Sequence, residues 1–119
     1  MNIIESALQV LNDEIDGINL LKKFFDSNFE DAVRAIYDSS GKVIVTGVGK
    51  SGHIGRKISA TLSSTGTPSF FIHPTEASHG DMGMIEKNDV IFAISWSGET
   101  TELGAVSYTH LTLPTNGEV

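Results

Sequence analysis

The chain has 119 residues, the length of one domain, and sets 15 acidic against 8 basic residues for a formal net charge of −7. Nucleic-acid backbones are bound by clustered cations that displace counterions, so this balance argues against a nucleic-acid partner, and any bound anion must be held by local groups. Cysteine is absent, which removes disulfide frameworks and thiolate chemistry. The first residues resemble no signal peptide and nothing approaches the roughly 20 apolar residues of a membrane helix, so a cytoplasmic protein with no membrane partner is expected.

Ile4, Leu8, Leu11, Ile15, Ile18 and Leu21 recur at spacings of three and four, forming one stripe of an amphipathic helix that needs a partner surface. Gly17 weakens that helix by about 1 kcal/mol relative to alanine. Asn28 is placed to cap a second helix, Phe29 to Tyr37, with Glu30 and Asp31 at its positive end and Ser39-Ser40-Gly41 as a stop. From Gly41 the pattern changes. Lys42 to Thr46 reads as a strand whose Val43, Ile44 and Val45 are covered on both faces. A glycine turn follows, then a helix with Ile54, Ile58 and Leu62 on one face, ended by Gly66 and Pro68. Ser69 to Ile72 is a second strand, Pro74 to Met84 a long polar loop, and Val90 to Ile94 a third strand. This order predicts α/β winding about a parallel sheet. Gly104 to Val119 shows no helical stripe, so no crossover follows the third strand. The expected organisation is a helical segment over 1–40, a partial α/β domain over 41–103, and a tail over 104–119 outside that fold.

Two small-residue loops follow strands and should open on the same edge of the sheet, where such folds bind ligands. Gly47-Val48-Gly49-Lys50-Ser51-Gly52 has the spacing of a dinucleotide-binding turn, yet His73-Pro74 stands where an acidic residue should follow the second strand. A P-loop is excluded, because its leading glycine would fall at Ile44, inside a strand. The same glycines also suit a turn that only lets strand and helix pack closely. Ser95-Trp96-Ser97-Gly98-Glu99-Thr100 sets three hydroxyls beside a glycine, a phosphate cradle that uses no net positive charge. Taken alone it also fits an ordinary serine cap with Glu99 or Glu102 in the first helical turn. His73, Glu76, His79 and Asp81 crowd one loop and are ordinary ligand types for a divalent metal, although their spacing matches no closed site. His53 reads as a structural residue in the first turn of a helix. Lys50 can neutralise developing charge, and Glu102 or His79 can move a proton; Glu102 equally fits a solvated carboxylate at a helix start.

The run Gly47 to Lys57, then Ser64-Thr65-Gly66-Thr67-Pro68, His73-Pro74-Thr75-Glu76-Ala77-Ser78-His79-Gly80-Asp81 and Ser95 to Thr100 closely resembles the sugar isomerase (SIS) domain of bacterial D-arabinose 5-phosphate isomerases. The resemblance is strong from Gly41 to Leu103 and loose over the N-terminal helices. It implies a three-layer SIS-type parallel sheet flanked by helices, incomplete in this chain, and interconversion of D-ribulose 5-phosphate with D-arabinose 5-phosphate for Kdo and lipopolysaccharide synthesis. It assigns sugar-phosphate binding to Gly49, Ser51, His73, Ser95, Ser97, Gly98 and Thr100, and catalysis to Lys50, Glu102 and His79. It implies no cofactor, no metal needed for turnover, and a homo-oligomer when full length. Trp96 departs from the smaller or polar residue expected there. The family continues into further strands, helices and usually a pair of CBS domains, so an N-terminal fragment of little activity is expected, with residues 104–119 resembling a vector or assembly junction. Two rival expectations are a noncatalytic phosphosugar-sensing SIS module of a regulator and a nicotinamide-dependent oxidoreductase.

Overall fold

The computed structural model describes residues 2–78 and 81–95, with Ser78, Asp81 and Met82 described by their backbone alone. The chain forms two compact units, residues 1–37 and a second beginning at Asp38. In the first, α1 (Ile3–Leu20) starts at Asn2, whose side chain accepts the Glu5 amide at 3.0 Å, and runs into a 3-10 turn, Leu21–Phe24. The second helix, α2 (Ser27–Tyr37), begins earlier than the sequence predicts, and Asn28 is not its cap. Asp26 is: its Oδ1 accepts the amides of Asn28 at 3.0 Å and Phe29 at 3.3 Å, the second and third helical N–H groups. A carboxylate there also suits the positive end of the helix dipole, and the Phe25 and Phe29 rings stack at 4.6 Å to fix the path of the chain into the helix. No residue of α1 or α2 is buried.

The second unit is built on a parallel sheet of β1 (Val43–Gly47), β2 (Ser69–Phe71) and β3 (Val90–Ile94) in the order β2-β1-β3. Val43 lies opposite Ser69 on one side and Val90 on the other, and the β1–β3 register runs through to Gly47 opposite Ile94. Every residue of the central strand is buried, as its unbroken β-branched run predicts. Val45 faces α3 (Gly49–Ser64), where it packs beneath Gly55. Alternation turns Ile44 to the other face, where it joins Ile72, Ala77 and the half-buried Ile85 and Ile91. Apolar layers therefore cover both faces of β1.

The segment 74–84 corrects the expectation of a polar loop: it forms a short helix, α4 (Pro74–Ser78), and a 3-10 turn, Asp81–Met84. Proline at a first helical position costs no hydrogen bond, and Ala77 on the next turn reaches the Ile44 cluster. Two polar seams hold the layers in register. Ser59 and Ser69 share a buried 2.8 Å hydroxyl contact, and the Ser63 hydroxyl donates to the Ser69 carbonyl at 3.0 Å, joining α3 to β2. At the amino end of the sheet Asp89 accepts the Lys42 amide at 2.9 Å, the Lys42 ammonium at 2.8 Å and the Glu86 amide at 2.7 Å.

Candidate functional site

β1 is the switch point of the sheet: the chain leaves it through α3 toward β2 on one side, and β3 returns on the other. Ligands of open α/β sheets bind outside the carboxyl ends of the strands at such a point, here the ends of β1 and β3. The glycine turn is built for closeness. Gly49 holds φ +59°, a left-handed conformation that favours glycine, and a Cβ on Gly52 would lie 2.7 Å from the Gly47 carbonyl oxygen. Close strand-to-helix packing is thus one real function of these glycines. They also open α3 directly at the sheet edge, with Lys50 exposed and Ser51 half-buried in its first turn.

The 100° step of an α-helix sorts the side chains of α3 around Gly52, which faces the sheet. Ser51 turns to one flank, whereas Gly49, His53 and Arg56 turn to the other, beside Phe71 and His73 at the end of β2. These last five residues and Gly52 line a recess of about 210 Å³. The residues expected to bind sugar phosphate therefore divide. Gly49 and His73 share the β2-side recess, Ser51 lies on the flank toward β3, and Ser95 directly follows β3. Ser97, Gly98, Thr100, Glu102 and His79 lie outside the described residues.

His73 is half-buried, and its Nδ1 accepts the Thr75 amide at 3.1 Å. An imidazole that accepts through Nδ1 carries its neutral-form proton on Nε2, which leaves that nitrogen as a donor. Among the described residues no three His, Cys, Asp or Glu side chains gather as a metal would require; the side chains of His79 and Asp81 lie outside them. His53 sits in the second turn of α3, not the first, and lines the recess. Sequence reading passed over Arg56 and Phe71. The signal was available: His53 and Arg56 are three apart on a helix, and His73 lies two residues beyond Phe71, the last residue of β2.

At the amino end of the sheet, Asp89 and Lys42 shift each other's ionisation. Burial raises the Asp89 carboxyl, but the Lys42 ammonium and the amides of Glu86 and Lys42 outweigh it and hold the group below the usual carboxylate range. The hydrogen bond to Asp89 raises Lys42 in turn, against the opposing effect of desolvation. No described helix is long and apolar enough to cross a membrane.

A family model for the SIS domain matches residues 35–108, more than half of the chain and all of the described sheet. This chain belongs to the SIS domain family. It is 50% identical over 103 residues to the arabinose 5-phosphate isomerase KdsD of Pseudomonas aeruginosa, covering 87% of this chain and 32% of that protein. The KdsD of Escherichia coli K12 is 49% identical over 102 residues, covering 86% of this chain and 31% of the relative. The chain thus spans about a third of the length of these curated relatives. Among solved structures, an Escherichia coli CFT073 protein in complex with arabinose 5-phosphate superposes with a TM-score of 0.77 at 42% identity, over 92% of this chain and 60% of that one. A Bacteroides fragilis protein solved as a candidate phosphosugar isomerase gives a TM-score of 0.81 at 35% identity, over 90% and 57%. The SIS sheet with helices is therefore the fold that the sequence motifs predict.

Proposed function

We propose that this SIS domain is part of an arabinose 5-phosphate isomerase and that its β1 and β3 loops hold the phosphate of a pentose 5-phosphate. The observation that carries this reading is the tight Gly49–Gly52 turn at the switch point, next to the strand that delivers Ser95, in a chain about half identical to KdsD proteins. The arabinose 5-phosphate bound to the Escherichia coli structural relative supports the same ligand class. Ser51, Ser95, Ser97 and Thr100 would supply hydroxyl and amide donors, which suits a chain of net charge −7.

Turnover of D-ribulose 5-phosphate requires a base to remove a proton from C1. The enediolate that forms is neutralised by nearby donors, and a proton is returned to C2 to give the aldose. Lys50, exposed in the first turn of α3, is assigned the stabilisation of enediolate charge, and Glu102 and His79 the proton transfers. The reading carries with it a cytoplasmic homo-oligomer whose D-arabinose 5-phosphate feeds Kdo synthesis for lipopolysaccharide, with no cofactor.

Calorimetric titration with D-arabinose 5-phosphate, paired with proton NMR of the sugar in deuterated water, tests the proposal on the full-length protein. Binding with deuterium entering the substrate carbons is expected. Ser97→Ala should weaken sugar-phosphate binding by about 1–3 kcal/mol and leave the already poor binding of D-arabinose unchanged, because the hydroxyl donates only to the charged ester. Binding without deuterium exchange would make the domain a phosphosugar sensor, and binding of a dinucleotide in place of the sugar would remove the reading altogether.

A further inference from the structure

The recess between α3 and β2 shares Gly49 and His73 with the residues that the resemblance assigns to sugar-phosphate binding, but its Arg56 and His53 have no part in the isomerase reading. It gathers Arg56 and two of the chain's four histidines, His53 and His73, around a floor made by Gly49 and Gly52. Among the described residues, none that lines it is acidic, in a chain where acids outnumber bases 15 to 8.

The two arginines of the chain are treated differently by their surroundings. Arg34 reaches back one helical turn to Glu30 at 2.8 Å. One turn either side of Arg56 stand Gly52 and Ala60, and among the described residues its guanidinium meets no carboxylate. It lies over the Phe71 ring instead, with its central carbon 4.3 Å from the ring centroid. Stacking fixes the plane of the guanidinium without consuming its N–H donors, so the fork is held in place with its donors open among the described residues. His73 presents a second donor through Nε2, because its Nδ1 is already engaged by the Thr75 amide. Size narrows the ligand. At about 210 Å³ the recess falls below the roughly 300–1,000 Å³ of sites that enclose whole drug-sized molecules, so it fits a head group.

We propose that the Arg56–His53–His73 recess is a second anion site, which takes the phosphate of a phosphorylated metabolite on the opposite flank of α3 from the Ser51 and Ser95 loops. A planar fork and two imidazoles converging from a helix and from just beyond the end of a strand match the several oxygens of a phosphate monoester better than the two of a carboxylate. The assignment does not depend on isomerase activity.

The test follows the imidazole ring resonances of His53 and His73 in the isotopically labelled full chain during titration with inorganic phosphate, methyl phosphate and acetate. Phosphate and methyl phosphate should shift both rings with a millimolar midpoint, and acetate should do so far more weakly. Arg56→Gln should weaken the phosphate response about tenfold or more, Arg56→Lys should lie between, and Ser51→Ala should leave it in place. Both arginine variants are surface changes, and a retained amide spectrum reports that they fold. Absence of any shift at tens of millimolar phosphate overturns the proposal. So does an equal response to acetate, an unchanged response in Arg56→Gln, or a response lost in Ser51→Ala. If the chain binds no pentose phosphate yet keeps the phosphate response, the isomerase reading fails and this one stands.

Discussion

Asp89 is the side chain on which the lead-ins to β1 and β3 converge, and its environment sets an acid limit on the second unit. Its carboxyl titrates below the usual range, so the stability it contributes is fully present above the ordinary value near 4 and drains away as pH falls through the lowered one. Lys42 is raised, so its share is present below its ordinary value of 10.5 and is lost only above that, on the alkaline side. Between those limits the pair's contribution does not change with pH. Asp89→Asn keeps the shape but leaves the Glu86 amide and the Lys42 ammonium facing a donor, and should cost about 2 kcal/mol at neutral pH. In urea titrations the gap between wild type and variant should close as pH falls below about 4; a gap that persists there would place the loss elsewhere. Thr46 is the opposite case. It is 3% exposed, and its Oγ1 has no hydrogen-bond partner among the described residues. Thr46→Val removes that group at nearly constant shape and should raise stability by about 1 kcal/mol, read as a higher urea midpoint at unchanged slope.

Elements were legible where one periodicity ran without competition. Val43 to Val45 announced a strand covered on both faces, and the structure buries all of β1. The helix α3 was legible too, but not its packing face: of the predicted Ile54, Ile58 and Leu62 stripe, Ile54 is 56% exposed, and the helix meets the sheet through Gly52, Gly55 and Ser59, small residues that a search for apolar periodicity undervalues. Pro74 reads as a loop marker because a five-residue helix is too short to show a period, and Asp26 was hidden behind a second plausible cap two residues later. The Asp89 clamp joins residues 47 apart, a pairing no local pattern contains. At the candidate site the loop containing Lys50 and Ser51 could be placed from sequence, whereas the flank assignment of His73 required the strand order. The glycine turn makes its own prediction. A methyl at Gly52 would sit 2.7 Å from a backbone oxygen that cannot swing aside, so Gly52→Ala must push α3 off β1. A loss of about 2–4 kcal/mol is expected by thermal or urea unfolding. Wild-type stability in that variant would mean that helix and strand separate at no cost.

This chain carries a net charge of −7, and the ligand proposed for its switch point is also an anion. A basic surface would draw a phosphate ester in from a distance and lose it as salt rises. Here the long-range field opposes binding, and short hydrogen bonds from hydroxyls and amides must supply the affinity. Raising monovalent salt from ~10 mM to ~150 mM shortens the Debye length from about 30 Å to about 8 Å, which removes most of the repulsion from distant carboxylates. Donors in contact with the phosphate are screened far less. The affinity of this chain for D-arabinose 5-phosphate should therefore stay level or rise over that interval. Proteins that neutralise many phosphates lose about 10³–10⁵ in affinity between 50 and 200 mM salt. Calorimetry at three salt concentrations, with chloride as the common anion, measures the slope directly. A steep fall would mean that clustered cations hold the ester, which would move sugar-phosphate binding away from the Ser51 and Ser95 loops and toward the flank that carries Arg56.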